Sequence, residues 1–144
     1  MKKSILSLLL ILIFTIIFNG CTIKREVIPT KGIDSTNICI IKNERVKGHF
    51  LENYVDSLEE LRFVVNVLPP NSQLNSCEII STYTARRSWE ITTYLSYAKI
   101  KVYKNSKFVG NAVYDARGGK GMVFDVHIDE KAMVKSLVAE LFQK

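Results

Sequence analysis

Residues 37–68, NICIIKNERVKGHFLENYVDSLEELRFVVNVL, decide the fold. Residues 37–41 form a nearly continuous apolar run, which is typical of a strand buried on both faces. Over residues 50–61 apolar side chains recur every three or four positions, with acidic residues between them, and this spacing predicts an amphipathic helix. Residues 63–68 are rich in β-branched side chains and predict a second strand. A strand, a helix and a strand in this order predict two parallel strands joined by a right-handed crossover.

Three more strands and a helix are predicted downstream. Residues 77–86 alternate in polarity, residues 88–103 are rich in Thr, Tyr, Ile and Val, and residues 107–116 return after a polar turn, so together they predict an antiparallel meander. A final amphipathic helix follows Asp129, which is the predicted N-cap. The sequence therefore predicts an α+β two-layer sandwich. Its mixed sheet has about five strands, in the order β-α-β-β-β-β-α, and both helices cover one face.

Alternation along the longest strand predicts which sheet face the helices cover. The helices are expected over the small and apolar set, Ser96, Ala98 and Ile100. The opposite face is then expected to be open to solvent and to carry a mixed aromatic and basic set, Tyr97, Lys99, Lys101 and Tyr103.

The start of the chain differs in composition from the rest. Of the 144 residues, 20 are Lys or Arg and 14 are Asp or Glu, but residues 4–18 are almost wholly apolar and follow Lys2 and Lys3. About 15 apolar residues are fewer than the roughly 20 that span a bilayer as a helix, and a basic start with a short apolar run is typical of a secretory signal. We predict that residues 1–20 are a signal peptide. An uncleaved membrane helix is disfavoured by the short run, and a plain secreted protein by the lack of an Ala-x-Ala-like site.

The apolar run ends at Gly20 and Cys21, and this ending resembles the lipobox of bacterial lipoproteins. The resemblance implies cleavage before Cys21, a diacylglycerol on its thiol and an N-acyl chain such as palmitate on its amine. Two or three acyl chains, at about 0.8 kcal/mol per buried methylene, hold a protein stably on a membrane. By the same resemblance, Thr22 in place of an aspartate implies sorting to the outer membrane, facing the periplasm.

The mature chain is predicted to have two parts. Residues 21–36 contain the lipidated cysteine and a flexible tether, because residues 22–36 follow neither a helical nor a strand period. Residues 37–144 are predicted to form a single globular α+β domain. This size excludes a multidomain enzyme.

Two cysteines remain in this domain, Cys39 and Cys77. An even pair in a cell-envelope protein is most simply a disulfide. Closing a loop of 38 residues would stabilise the fold by about 4 kcal/mol on the chain-entropy model. Two buried free thiols are the alternative, whereas a redox pair is disfavoured because such pairs are typically Cys-x-x-Cys at a helix start.

No metal or catalytic site is predicted. His49 and His127 are the only histidines, and neither has a second ligand at metal-site spacing. The chain lacks a Gly-x-Ser-x-Gly motif, and residues 118–121 lack the spacing of a phosphate-binding loop. No cofactor is therefore predicted beyond the lipid on Cys21.

Residues 81–89, STYTARRSW, are the most unusual in composition, and they suggest a binding surface because Arg, Trp and Tyr are common at binding hot spots. The candidate binding surface comprises Arg86, Arg87, Trp89, Tyr97, Lys99, Lys101, Tyr103 and Arg117. In the structural alternative, Trp89 is a core aromatic and the arginines pair with Asp115 or Glu90. A basic surface could bind anionic lipid, lipopolysaccharide or peptidoglycan carboxylates. Nucleic acid is disfavoured by the compartment.

Several segments together resemble a functionally uncharacterised group of small lipoproteins from Gram-negative bacteria. They are the lipobox, STYTAR over residues 81–86, Trp89, YLSYA over residues 94–98 and YDAR over residues 114–117. The resemblance implies a shared fold and a location in the cell envelope, and it implies no catalytic residues or substrate.

The leading hypothesis is a lipid-anchored, non-enzymatic binding or interaction module of the envelope. Its partners are the membrane, through the anchor, and an envelope protein, peptidoglycan or lipopolysaccharide. The rival is a small envelope enzyme with Asp115 as base. Its site would lie near Tyr83, Arg86, Asp115 and Arg117.

Overall fold

The computed structural model describes residues 23–89, 93–118 and 129–143. Within these ranges it contains six strands and two helices. In chain order they are β1 (Lys24–Ile28), β2 (Asn37–Ile41), α1 (Phe50–Glu60), β3 (Val64–Leu68), β4 (Ile79–Trp89), β5 (Thr93–Lys104), β6 (Lys107–Asp115) and α2 (Glu130–Leu141).

The six strands form one mixed sheet in the order β1-β6-β5-β4-β2-β3. β2 lies between β3 and β4 and is parallel to both, whereas β4, β5, β6 and β1 follow one another in antiparallel pairs. The β2–α1–β3 unit is the predicted crossover, and β4 to β6 are the predicted meander. The α+β class is therefore as predicted, with six strands rather than about five.

Both helices pack on the same face of the sheet. Tyr54 of α1 is hydrogen-bonded to Ser81 of β4. Glu130, at the start of α2, forms an ion pair with Arg87 on the same side of the same strand. We refer to this face as the helix face and to the opposite one as the open face.

The core lies between the helices and the helix face. On β5 the set predicted to be covered, Ser96, Ala98 and Ile100, is buried. The largest buried side chains of the core cluster come from every layer and include Ile38, Ile40, Phe50, Tyr54, Leu58, Ile79, Ile100, Leu137 and Leu141.

The predicted tether over residues 21–36 needs correction. Lys24–Ile28 forms β1, which pairs with β6, so the folded domain begins well before residue 37. Val27 alone in β1 is partly buried, and a short edge strand with one partly buried side chain shows no strand period. Arg25 is hydrogen-bonded to Ser136 and Glu140 of α2, which ties this strand to the helix layer.

The connection from β3 to β4, residues 69–78, crosses back past β2. The α1 crossover moves across the sheet from β2 to β3, whereas this connection moves back from β3 to β4. Because both crossovers are right-handed, they lie on opposite faces, and this one lies on the open face. Cys77, near its end, forms a disulfide with Cys39 of β2, with the two Cα atoms 6.3 Å apart. Cys39 points to the open face because its neighbours Ile38 and Ile40 are in the core. The predicted disulfide is confirmed, and it holds this connection against β2.

A predicted turn and a predicted helix cap are both present. Asn105 and Ser106 have φ values of 49° and 64°, as a two-residue hairpin turn between β5 and β6 requires. The Asp129 side chain accepts a hydrogen bond of 3.0 Å from the backbone N–H of Lys131, so it caps α2 as predicted.

A pair of hydroxyl groups connects α1 to the sheet inside the core. The Tyr54 and Ser81 oxygens are 2.7 Å apart, and both residues are fully buried. Burial raises the pKa of Tyr54 well above its ordinary value, because a phenolate there would lose its solvation. The phenol is therefore neutral, and each hydroxyl satisfies the other where water cannot replace it.

We predict that Tyr54→Phe lowers the free energy of unfolding by about 1–3 kcal/mol, because the Ser81 hydroxyl loses its partner in the core. Urea denaturation of the wild type, Tyr54→Phe, Ser81→Ala and the double variant gives the coupling free energy between the two side chains. The double variant should lose less stability than the two single variants combined. Simple additivity would contradict the coupling.

Candidate functional site: a basic cavity on the open face

Side chains of β4 and β5 form the centre of the open face. Thr84 lies opposite Lys99, and Thr82 lies opposite Lys101, in the antiparallel register. The two lysines share a side because they are two residues apart on one strand, and Ile100 between them is in the core. Lys99 and Lys101 are thus on the face predicted for them.

These residues form the floor of a cavity of about 600 Å³. One wall is the loop after β2, residues 42–45, and another is the start of the β3–β4 connection, with Pro70 and Asn71. Tyr103 and Ile41 complete the lining together with Tyr83. The cavity lies beside the carboxyl ends of the parallel strands β2 and β3, which is the common place for ligands in such sheets. Its volume is within the range of about 300–1,000 Å³ that small-molecule sites occupy.

Asn43 holds the first wall in place. Its side-chain amide donates to the Tyr83 carbonyl at 2.9 Å, and its backbone N–H donates to the Tyr83 phenol oxygen at 3.2 Å. Its side-chain oxygen accepts a hydrogen bond of 3.1 Å from the backbone N–H of Arg45. Tyr83 stacks on Phe50 with ring centroids 5.5 Å apart, and burial raises its pKa. The loop that carries Lys42 and Arg45 is therefore fastened to the core.

The second wall is fixed covalently. Residues 69–78 contain both the lining residues Pro70 and Asn71 and the disulfide cysteine Cys77. Because Cys39 is part of a central strand, the disulfide limits how far this connection can move from the sheet. Both walls are thus held at a defined distance from the lysines of β5.

The lining of the cavity is strongly basic. It contains Lys42, Arg45, Lys99 and Lys101 against one acid, Glu44. Across the described ranges, none of these four cations has a carboxylate oxygen within 4.0 Å. A concave surface with several cations of one sign focuses a positive potential and attracts anions.

A separate cluster lies at the end of β6. The Arg117 side chain donates two hydrogen bonds to the Asp115 carboxylate, at 2.9 and 2.6 Å, and its guanidinium carbon is 4.3 Å from the centroid of the Tyr97 ring. Hydrogen bonds from the side chain and the backbone of Arg117 lower the pKa of Asp115 to about 2. Such a carboxylate is a weak base, and neither residue lines the cavity.

The structure divides the predicted binding surface. Six of its residues lie on or next to the open face: Arg86, Tyr97, Lys99, Lys101, Tyr103 and Arg117. Arg87 does not belong to this surface, because neighbouring residues of a strand point to opposite faces and Arg87 pairs with Glu130 on the helix face. Trp89, the last residue of β4, is 76% exposed, so the alternative of a core aromatic is wrong.

Lys42, Asn43 and Arg45 were not among the predicted binding residues. Their position directly after a buried strand with parallel neighbours was the available signal, because ligands bind at such ends. The cavity itself also requires residues 69–78 to cross the open face, and no local pattern in the sequence indicates this.

Other predicted features fall outside the site. Cys21 and His127 are outside the described residues, and His49 is exposed and lies 2.7 Å from a Glu52 carboxylate oxygen. Of the helices that the structure describes, neither is long and apolar enough to cross a membrane. No three metal-ligating side chains cluster within the described part of the chain.

No protein-family model and no curated protein matches this chain. Among solved structures, the chain is similar to a PelC variant dodecamer from Paraburkholderia phytofirmans. The two chains are 8% identical with a TM-score of 0.53, and the match covers 83% of this chain and 94% of that chain. A structural match at such low sequence identity shows that the folds are similar and does not assign a function.

We predict that Arg117→Gln raises the pKa of Asp115 from about 2 toward 3.8, because the carboxylate loses its hydrogen-bonded cation. The lowered pKa also means that the ion pair stabilises the fold above about pH 3.8 and that this stabilisation is lost as the pH falls toward 2. Carboxyl-carbon NMR titration measures the pKa directly. Lys24→Gln is the matched control and should raise it less, and an unchanged pKa in Arg117→Gln would refute the assignment.

Proposed function

We propose that the protein is a lipid-anchored binding module of the cell envelope and that its basic cavity binds an anionic ligand. The anchor rests on the sequence, since a signal-like run over residues 1–20 is followed directly by Cys21. The lipid on Cys21 would hold the domain at the outer membrane, facing the periplasm. The open face would then meet ligands of that compartment.

The observation that supports binding is the unpaired positive charge in the cavity. None of the four cations is buried, so each keeps solvent contact, but four charges of one sign around one concavity give a positive potential that attracts an external anion. Lys99 and Lys101 are two residues apart on a strand, which places them about 7 Å from each other. That separation suits a ligand with two anionic groups, or a repeating anionic chain.

The polar side chains between the cations further restrict the class of ligand. Three residues with hydroxyl groups, Thr82, Thr84 and Tyr103, line the cavity, as does Asn71 with its amide. Such groups hydrogen-bond to phosphate, carboxylate and sugar oxygens. Lipopolysaccharide carries phosphate, carboxylate and sugar oxygens, and peptidoglycan carries carboxylate and sugar oxygens.

The enzymatic alternative has less support. Tyr83 lines the cavity, but its phenol oxygen is bonded to the Asn43 backbone and its pKa is raised by burial. Asp115 is paired with Arg117 outside the cavity, and its pKa is low. The acid, the phenol and the arginine therefore do not converge on one substrate position, as general acid–base catalysis requires.

We predict that the variant with both Lys99→Gln and Lys101→Gln binds anionic envelope glycans at least about tenfold more weakly, because each charged hydrogen bond contributes about 1.5–3 kcal/mol. The full-length lipidated protein in detergent is titrated with purified lipopolysaccharide, and co-sedimentation with peptidoglycan sacculi is measured separately. Lys107→Gln is the matched control, since Lys107 is exposed and does not line the cavity. Equal binding by the double variant, or no saturable binding of either probe by the wild type, would overturn the binding role.

We predict that Cys21→Ala removes the protein from the membrane fraction and that its intact mass lacks the lipid. Inhibition of the lipoprotein signal peptidase by a globomycin-type compound should make the precursor accumulate. Thr22→Ala leaves the thiol in place and should remain in the membrane fraction. Continued fractionation of Cys21→Ala with membranes, or an unchanged precursor under the inhibitor, would contradict the anchor.

A further inference from the structure

One end of the sheet is defined by four residues that lie side by side across four strands. Lys24 of β1 is opposite Asp115 of β6, Asp115 is opposite Tyr97 of β5, and Tyr97 is opposite Arg86 of β4. The chain enters the sheet here, because β1 begins at Lys24. We call this the entry end.

The β4–β5 hairpin extends past the entry end. β4 continues three residues beyond Arg86 to Trp89, which at 3.3 Å per residue is about 10 Å farther out. Trp89 is 76% exposed and is the only tryptophan of the chain. A ring this exposed contributes little packing against the residues that the structure describes. Tryptophan is, however, the side chain most suited to the boundary between a bilayer and water.

The proposed lipid anchor is attached just before the strand that starts at this end. Cys21 precedes Lys24 by three residues, which span at most about 10 Å. The anchor and Trp89 can therefore reach the same height beyond the entry end. They are separated by β6 and β5, and three strand spacings correspond to about 14 Å across the sheet.

Among the described residues, the row of side chains at the entry end is also positively charged. Neither Lys24 nor Arg86 has a carboxylate oxygen within 4.0 Å among the residues described. The acid of the same row, Asp115, is neutralised by Arg117. Basic residues at this height would lie beside anionic headgroups, which attract them at short range.

We infer that the entry end lies against an anionic bilayer and that Trp89 inserts into the headgroup region as a second membrane contact. This inference rests on the proposed lipid anchor. Two contacts about 14 Å apart at one end of the sheet restrict how the domain tilts on the membrane, which a single flexible attachment cannot do. The strands would then stand steeply on the membrane, with the helix face and the open face both directed sideways.

The sole tryptophan allows a direct test. Full-length lipidated protein is reconstituted into vesicles of phosphatidylethanolamine and phosphatidylglycerol, and its tryptophan emission is recorded with acrylamide and with brominated lipids. In the vesicles, Trp89 should emit at a shorter wavelength than in detergent and should be quenched less by acrylamide. It should be quenched by lipids that are brominated near the headgroup. Replacing phosphatidylglycerol with phosphatidylcholine should weaken the protection from acrylamide.

The matched control moves the reporter to the other end of the sheet. Phe108, opposite Tyr103 and far from the entry end, is 50% exposed, so the variant with Trp89→Phe and Phe108→Trp carries one exposed tryptophan there. Its emission should stay accessible to acrylamide in the same vesicles. Equal accessibility of the two tryptophans to acrylamide would overturn the inference. It would do so even if a protein, rather than the membrane, covers Trp89 in cells.

Intact mass and vesicle flotation separate this inference from the proposed anchor. If the lipid is present and Trp89 is accessible to acrylamide, the anchor stands and the membrane contact falls. If the lipid is absent but the protein floats and Trp89 is quenched by brominated lipids, the contact stands alone. A protein without lipid that does not float would overturn both.

Discussion

The structure depends on the position of β2 between two strands that run parallel to it. Parallel neighbours cannot be joined by tight turns, so each of the two connections must cross the sheet. The first contains α1, and the second is residues 69–78 on the opposite face. Ile38, Cys39 and Ile40 are consequently buried from both sides. The continuous apolar character of residues 37–41 is the sequence counterpart of this arrangement.

The same constraint produces the cavity. Residues 69–78 cover the open face over β2, but β5 and β6 have no such cover within the described chain. The boundary between the covered and the uncovered strands is therefore concave. The basic side chains of β5 and of the loop after β2 line the cavity at this boundary. A connection required by topology thus supplies one wall of the site, and the disulfide between Cys39 and Cys77 keeps it there.

The sequence predicted those features that depend on local pattern. Helical spacing located α1 and α2, alternation assigned Lys99 and Lys101 to the open face, and the count of cysteines led to the disulfide. β1 was missed because this short edge strand has only one partly buried side chain and therefore no period. The cavity was missed because it joins loops that are far apart in the chain. Arg87 was grouped with Arg86 because composition alone does not separate two adjacent residues that point to opposite faces.

The pairing of β1 with β6 also determines how the domain bears mechanical load. β1 starts at the entry end and is antiparallel to β6, and five residue pairs join the two strands. A force that pulls Lys24 outward along the strand axis acts on these hydrogen bonds in shear, so they share the load and must fail together. A force across the sheet would instead peel them apart one by one. Arg25, bonded to Ser136 and Glu140, adds the helix layer to the resistance. An attachment at this point therefore transmits tension into the whole fold.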